Sequence, residues 1–100
     1  MKITTHKGDN SMSISLVGRM DTIRAAEFQN MVDELTDEEA GHAVVDCKDL
    51  EYISSSGLRA FIALLKKAQK NGGMIKLLHL NDNVKEVFDM TGVSSLFGIE

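Results

Sequence analysis

Residues 44–73, "VVDCKDLEYISSSGLRAFIALLKKAQKNGG", predict a strand, a polar turn and a helix in direct succession. The β-branched Val44 and Val45 lie in a short apolar run, residues 43–47, which favours a strand covered on both faces. After the serines, apolar residues recur at i, i+3, i+4 and i+7, the spacing of one buried helix face, at Leu58, Phe61, Ile62 and Leu65. This helix is predicted to begin near Gly57 and to end in a basic turn before Gly72.

The chain before this stretch predicts a hairpin and a helix. Met12, Ile14 and Leu16 alternate with serines, so a half-buried strand with one face towards water is expected. Residues 2–6 are predicted to pair with it through turn residues at Gly8, Asp9 and Asn10. Asp21 or Thr22 then opens a helix, and residues 36–41, "TDEEAG", are expected to release the chain as a loop. The inward stripe of this first helix is formed by Phe28, Met31, Val32 and Leu35.

After Gly73 the pattern alternates once more. Residues 74–80, "MIKLLHL", predict a strand, and Asn81 or Asp82 opens a third helix with Gly92 as its C′ residue. Its inward residues are Val84, Val87 and Phe88, and residues 94–100 predict a last short strand. The order β-β-α-β-α-β-α-β predicts an α/β fold with a mixed sheet of four to five strands and about three main helices packed on one side.

Composition limits the size of the protein and the class of its partners. One hundred residues, 43% of them hydrophobic, fit a single domain, residues 1–100. Eleven basic and fifteen acidic residues are mixed along the chain and give a net charge of −4, so neither nucleic acid nor a membrane surface is predicted as a partner. No signal peptide or membrane span is recognisable, which predicts a cytoplasmic protein with Cys47 buried as a small hydrophobe.

The sequence contains no catalytic constellation. A serine hydrolase needs a base near its serine, and the available histidines are His6, His42 and His79; the strand-to-helix motif G-x-S-x-G is missing. Glycine-rich nucleotide motifs are also missing, and the adjacent acids at residues 37–39 favour a solvated loop over a metal site. We therefore predict no enzyme, no cofactor and no metal, although a small hydrolase using one of the serines remains a third hypothesis.

Three serines in a row, Ser54, Ser55 and Ser56, stand where a strand meets a helix. Capping of the helix accounts for one of them, and Ser56 is the better candidate for that role. A phosphate on a serine at this place would lie among free N–H groups and at the positive end of the helix dipole, so the fold would tolerate it. A partner packed over the same helix end would have to desolvate the new dianion.

The motifs "LVGRMD" (residues 16–21), residues 44–73 and "NDNVKEVFDMTGVSSLF" (residues 81–97) resemble the STAS domain of bacterial anti-sigma factor antagonists, from about Ile3 to Ile99. The resemblance implies a small mixed sheet with helices on one side. It also implies a partner switch, in which the unphosphorylated antagonist binds an anti-sigma factor that is also a serine kinase and so frees a sigma factor. Phosphorylation abolishes this binding, and a serine phosphatase restores it.

The family motif D-S-[S/T]-G-L, laid onto residues 54–58, implies that Ser55 is phosphorylated, with Ser56 and Ser54 as alternatives. The same resemblance assigns partner binding to Asp21, Ser54, Ser56, Gly57 and Arg59. Capping of the first helix is an equally valid role for Asp21, and solvation alone is the alternative role for Arg59.

The chain departs from the family pattern at two positions, because Ser54 replaces the aspartate beside the phosphoacceptor and Arg19 stands where an acid is common. A STAS subunit of a larger assembly, such as a stressosome or a lipid-transport complex, in which no phosphate is used, is the alternative function.

Overall fold

A computed structural model describes residues 1–9 and 11–100 of the protein. Its five strands form one sheet in the order β1-β2-β3-β4-β5, in which β1 and β2 are antiparallel and the remaining pairs are parallel. This confirms the predicted mixed sheet and its opening hairpin, although the turn residue Asn10 lies outside the described residues. The strands are β1 Lys2–Gly8, β2 Ser11–Met20, β3 Ala43–Ile53, β4 Lys76–Leu78 and β5 Gly98–Ile99.

Four helices and one 3₁₀ turn connect or follow these strands, and the helices pack on one face of the sheet. The elements are α1 Thr22–Glu34, α2 Asp37–Gly41, α3 Ser55–Lys70, α4 Asp82–Met90 and the 3₁₀ turn Ser94–Leu96. The 36–41 segment, predicted as a loop, contains α2, so that prediction was wrong. Thr36 and Glu39 form a reciprocal capping box, in which each side chain accepts a hydrogen bond from the other residue's backbone N–H, at 3.1 and 2.9 Å.

Strand β3 extends six residues past the run 43–47 that the sequence indicated, because it follows β2 to its end. The pairing shifts twice along the way, once between Ser15 and Val17 and once between Gly18 and Arg19. Each bulge places an extra residue on β3, so its inward positions fall at Cys47, Leu50 and Ile53. The strand is buried on one face only, which corrects the expectation of cover on both faces: Val44 and Asp46 are half-buried on the opposite, helix-free side.

The core lies between the sheet and the helices. A row of aromatic rings crosses it from α1 to the last turn, with centroid separations of 4.9 Å for Phe28–Phe61, 5.3 Å for Phe61–Phe88 and 5.4 Å for Phe88–Phe97. The predicted inward stripes are confirmed in most positions. Three of their members, Met31, Ile62 and Val87, are only partly buried at the margin of the core, and Leu64 is fully buried where α3 was expected to bury Ile62.

Two smaller expectations about burial are also confirmed. Cys47 is fully buried, and desolvation raises the pKa of its thiol to about 12, with a further contribution from the neighbouring Asp46 carboxylate. On β2, Ser13 is exposed on the helix-free face while Ile14 beside it is buried, as the alternation predicted. None of the helices within residues 1–9 and 11–100 has the length and hydrophobicity that a membrane span requires.

Candidate functional site

Two helices begin side by side at one edge of the sheet. Strands β2 and β3 are parallel neighbours whose last residues, Met20 and Ile53, are paired, so the chain leaves both strands at the same edge. Asp21 follows β2 and caps α1, where its carboxylate accepts a hydrogen bond from Arg24 N at 2.8 Å. The backbone N–H of Ser54 donates to Met20 O at 2.9 Å, which ties the start of α3 to the end of β2.

Ser54 is the cap of α3. Its hydroxyl accepts a hydrogen bond from Gly57 N at 3.1 Å, and the residue is only 8% exposed. This corrects two predictions, because the helix begins at Ser55 and not near Gly57, and the capping serine is Ser54 and not Ser56. Ser54, a neutral residue, therefore has a structural role in this chain as the cap of α3.

The remaining two hydroxyls differ from each other. Ser55 is the first residue of α3 and is exposed, whereas Ser56 is half-buried and its hydroxyl accepts a hydrogen bond from an Arg59 guanidinium nitrogen at 3.2 Å. Among residues 1–9 and 11–100, no group is hydrogen-bonded to the Ser55 hydroxyl. Of the three serines, Ser55 is thus the exposed one, and its hydroxyl makes no hydrogen bond to another described residue.

At Gly57, α3 lies close against the ends of β2 and β3. A Cβ added there would lie 2.7 Å from the Met20 sulfur and 2.9 Å from Ile53 Cγ1, distances that real side chains do not tolerate. Because both atoms belong to buried side chains, a larger residue at position 57 would force Met20 and Ile53 to shift within the core. Because Gly57 is buried, its contribution to any docking surface is to fix the height of Ser55 and Ser56 above the sheet.

The electrostatic environment of Ser55 favours negative charge. The first turn of α3 carries no acidic residue, so the positive end of the helix dipole is not compensated there. The guanidinium of Arg59 is exposed one turn further on. The acid expected near the site, Asp21, is exposed at the adjacent helix end and already accepts a hydrogen bond from the first turn of α1.

Two exposed features of this edge were not predicted from the sequence. Ile23, in the first turn of α1, is 71% exposed, and the only signal for it was that it falls outside the inward stripe of its helix. Arg19, noted only as a departure from the family pattern, places its guanidinium 4.5 Å from the ring centroid of Tyr52 on the paired strand. No sequence signal predicts the contact between Arg19 and Tyr52, since it depends on the register of β2 against β3.

The alternative chemistries gain no support from the geometry. In the described residues, none of the histidines is hydrogen-bonded to a serine of the 54–56 stretch, and His79 Nδ1 instead lies 3.2 Å from Asp46 Oδ1. No group of three or more His, Cys, Asp or Glu residues within 1–9 and 11–100 is arranged to hold a metal ion. The acids at residues 37–39 form the first turn of α2.

Comparison with known sequences agrees with the resemblance expected from the motifs. The family model described as the STAS domain matches residues 2–100. The anti-sigma-B factor antagonist of Bacillus subtilis is 25% identical over 99 residues, which cover 99% of this chain and 90% of that protein. BtrV of Bordetella bronchiseptica, named as a candidate anti-sigma factor antagonist, is 30% identical over 99 residues, which cover 99% of this chain and 85% of that protein.

Solved structures share the fold. A candidate anti-sigma factor antagonist from Thermotoga maritima superposes with a TM-score of 0.85 and 21% identity, over 97% of this chain and 84% of that chain. The Bacillus cell fate determinant SpoIIAA in its phosphorylated form superposes with a TM-score of 0.76 and 14% identity, over 99% of this chain and 91% of that chain. Anti-sigma factor antagonists of the STAS type are binding regulators and not enzymes.

Proposed function

Since this chain belongs to the STAS domain family, we propose that it is an anti-sigma factor antagonist whose binding is switched by phosphorylation of Ser55. In its unmodified form it binds an anti-sigma factor that is also a serine kinase, and a sigma factor is released. The observation that carries this proposal is the state of Ser55, which is exposed, free of hydrogen bonds to the other described residues, and placed at an uncompensated helix N-terminus.

The modification itself is an ordinary phosphoryl transfer. The Ser55 oxygen attacks the terminal phosphorus of a nucleoside triphosphate held by the kinase, a new O–P bond forms, and the P–O bond to the nucleoside diphosphate breaks. The hydroxyl proton passes to a base of the kinase. A serine phosphatase reverses the change with water, which releases inorganic phosphate and restores the hydroxyl.

The choice of Ser55 over its neighbours follows from their contacts. Modification of Ser54 would replace the buried hydroxyl that caps α3, and modification of Ser56 would replace the hydroxyl that Arg59 binds. The first change would place a dianion at a buried cap and the second at a half-buried hydroxyl that is already hydrogen-bonded, whereas Ser55 is exposed and its modification alters no hydrogen bond between described residues. Ser56 and Ser54 therefore rank second and third as acceptors.

Loss of binding follows from charge. A phosphoserine adds about −1.5 to −2 charges at neutral pH, and a partner that covers this helix end must desolvate them. An uncompensated charge in an interface costs about 2–5 kcal/mol, which corresponds to roughly a thirtyfold to several-thousandfold loss of affinity. The docking surface around Ser55 comprises Asp21, Ser56 and Arg59 as contact residues, with Ser54 and Gly57 holding its shape.

As a single STAS domain, residues 1–100, the protein would act in the cytoplasm, where the transcription apparatus and nucleoside triphosphates are found.

The test compares partner capture by three forms of the chain: wild type, Ser55→Ala and Ser55→Asp. We expect wild type and Ser55→Ala to retain the anti-sigma factor from a lysate of the source cells, identified by mass spectrometry, and Ser55→Asp to lose it. Ser95→Asp is the matched control, because Ser95 is exposed in the 3₁₀ turn and the change adds the same charge elsewhere.

Incubation of the wild type with the captured kinase and a nucleoside triphosphate is expected to add one phosphate, and Ser55→Ala is expected to remain unmodified. Equal phosphorylation of Ser55→Ala would show that the acceptor is another serine. Stable capture of a multi-subunit assembly by Ser55→Asp as well as by wild type would instead support the alternative function, a STAS subunit that uses no phosphate.

A further inference from the structure

Arg59 differs from the other two arginines of the chain, because no other described residue neutralises its guanidinium or stacks on it. Arg19 lies over the Tyr52 ring, and Arg24 forms an ion pair with Glu27 at 2.7 Å. Within residues 1–9 and 11–100, the Arg59 guanidinium donates a hydrogen bond only to a neutral hydroxyl, that of Ser56, and forms no ion pair. A cation is thus held without a counter-charge on the first turns of α3.

We propose that Arg59 is the intrachain counter-ion of the phosphate on Ser55, so that modification moves its guanidinium from the Ser56 hydroxyl to the phosphate. This inference rests on the proposed function for the identity of the modified serine. It adds that phosphorylation acts twice, because it introduces a dianion and also removes a free cation from the surface that faces the partner.

The helical spacing makes this exchange possible without any movement of the backbone. Residues three and four positions apart are neighbours on a helix surface, so Arg59 lies beside Ser56 at i+3 and beside Ser55 at i+4. The side chain already bends towards the start of the helix, as its 3.2 Å contact with Ser56 shows. A change of side-chain torsions is sufficient to carry the guanidinium from one serine to the other.

The direction of the exchange follows from the strength of the two interactions. A hydrogen bond from arginine to a neutral hydroxyl is weaker than a bidentate, charge-assisted pair between arginine and phosphate. The Ser56 hydroxyl remains satisfied after the exchange, because it is half-buried and accessible to water. The phosphate therefore competes successfully for Arg59.

The test measures the phosphate directly and needs neither kinase nor partner. Phosphoserine is incorporated at position 55 during translation, and the ³¹P resonance of the intact chain is followed against pH. The second ionisation of a free phosphoserine has its midpoint at about pH 6. We expect the midpoint in the otherwise wild-type chain to lie roughly 0.2 to 0.7 pH units below that of Arg59→Ala, since the cation favours the dianion by the amount typical of an exposed ion pair.

Two further variants separate a specific contact from a general field. Arg59→Lys keeps the charge but loses the planar fork, so it should recover part of the shift. Arg24→Ala removes an arginine from the neighbouring helix start and should leave the midpoint unchanged, because that guanidinium is held by Glu27. The helix dipole acts equally in all variants, so it cancels in the comparison.

Equal midpoints in wild type and Arg59→Ala would overturn the inference, as would a shift of the same size in Arg24→Ala. Neither outcome bears on whether phosphorylation releases the partner, which the capture experiment decides. Conversely, a phosphorylated chain that retains its partner would refute the proposed function while the titration still reports whether Arg59 holds the phosphate.

Discussion

The starts of α3 and α4 are built in the same way and differ in what surrounds them. Each helix follows a parallel strand at the same edge of the sheet and begins with a polar cap, whose side chain accepts a hydrogen bond three residues on: Ser54 from Gly57 N at 3.1 Å, Asn81 from Val84 N at 2.8 Å. At α4 the cap amide also donates to Leu50 O at 3.0 Å, and the first turn carries an acid, Asp82.

At α3 the corresponding features are missing among the described residues, and an accessible hydroxyl and an arginine without a counter-charge stand in their place. The start of α4 has a cap that bonds both its own helix and β3, and an acid near the positive end of its dipole, so it is suited to holding the fold. The start of α3 leaves a hydroxyl and a positive potential available, so it is suited to accept a modification. The following predictions test this difference.

The largest effect is expected at Gly57, where α3 lies against the strand ends. Gly57→Val would force a branched side chain into space occupied by Met20 and Ile53, and overpacking of this kind lowers the free energy of unfolding by about 3 kcal/mol. Urea unfolding followed by circular dichroism measures the loss. Ser55→Val is the matched control, since the same side chain two residues earlier is exposed and should change the stability by less than about 0.5 kcal/mol. Equal stabilities of the two variants would contradict the close approach of α3 to β2.

A second, smaller effect compares the two caps. Ser54→Ala removes one capping hydrogen bond and should lower the free energy of unfolding by about 1 kcal/mol. Asn81→Ala removes the cap and also leaves the Leu50 carbonyl without its side-chain donor, so about 2 kcal/mol is expected.

Asn81→Ser separates these contributions, because serine can cap the helix but is too short to reach Leu50; it should recover about half of the loss. If Ser54→Ala costs as much as Asn81→Ala, the start of α4 is no more firmly held than that of α3, and the comparison between them is wrong.

The sequence predicts the elements of this edge better than the roles within it. The period of the apolar residues predicted β2, α1, α3 and α4, because each of these elements buries one face. Three consecutive serines, however, satisfy a capping rule equally well. Which serine caps α3 is decided by where β3 stops pairing with β2. The pairing ends at Ile53 opposite Met20, which is a contact between distant parts of the chain.

Two other errors have different physical origins. The bulges that extend β3 depend on its register against β2, which no local pattern encodes. By contrast, α2 was predictable, because the spacing of Thr36 and Glu39 is that of a capping box, a signal outweighed by the charge of the segment. The Ser55 assignment still rests on the family motif and the free hydroxyl together, and it stays a prediction until it is tested.

The smallest effect depends on pH and concerns the contact between Asp46 on β3 and His79, which lies just before α4 in the chain. It is a second tie, after the Asn81–Leu50 hydrogen bond, between β3 and the start of α4. The pKa of Asp46 is lowered, first by the hydrogen bond that its carboxylate accepts from Lys48 N at 3.0 Å and then by His79, whose ring nitrogen lies 3.2 Å away. The folded chain therefore binds this proton less readily than the unfolded chain does. The stability that Asp46 contributes is present above about pH 4, the pKa range of an unfolded aspartate, and is lost as the pH falls through the lower folded value.

Asp46→Asn removes this titration, so it should be slightly less stable than wild type at pH 7, and the difference should shrink towards zero as the pH falls below about 3. His79→Ala should show a smaller loss at pH 7, because the Lys48 N–H bond, the larger cause of the lowered pKa, remains. Unfolding midpoints in urea measured from pH 7 to pH 2.5 test both variants. A constant gap between wild type and Asp46→Asn over this range would mean that the carboxylate acts through its shape and not its charge, and that the tie before α4 is a packing contact, like the one that Gly57 makes in α3.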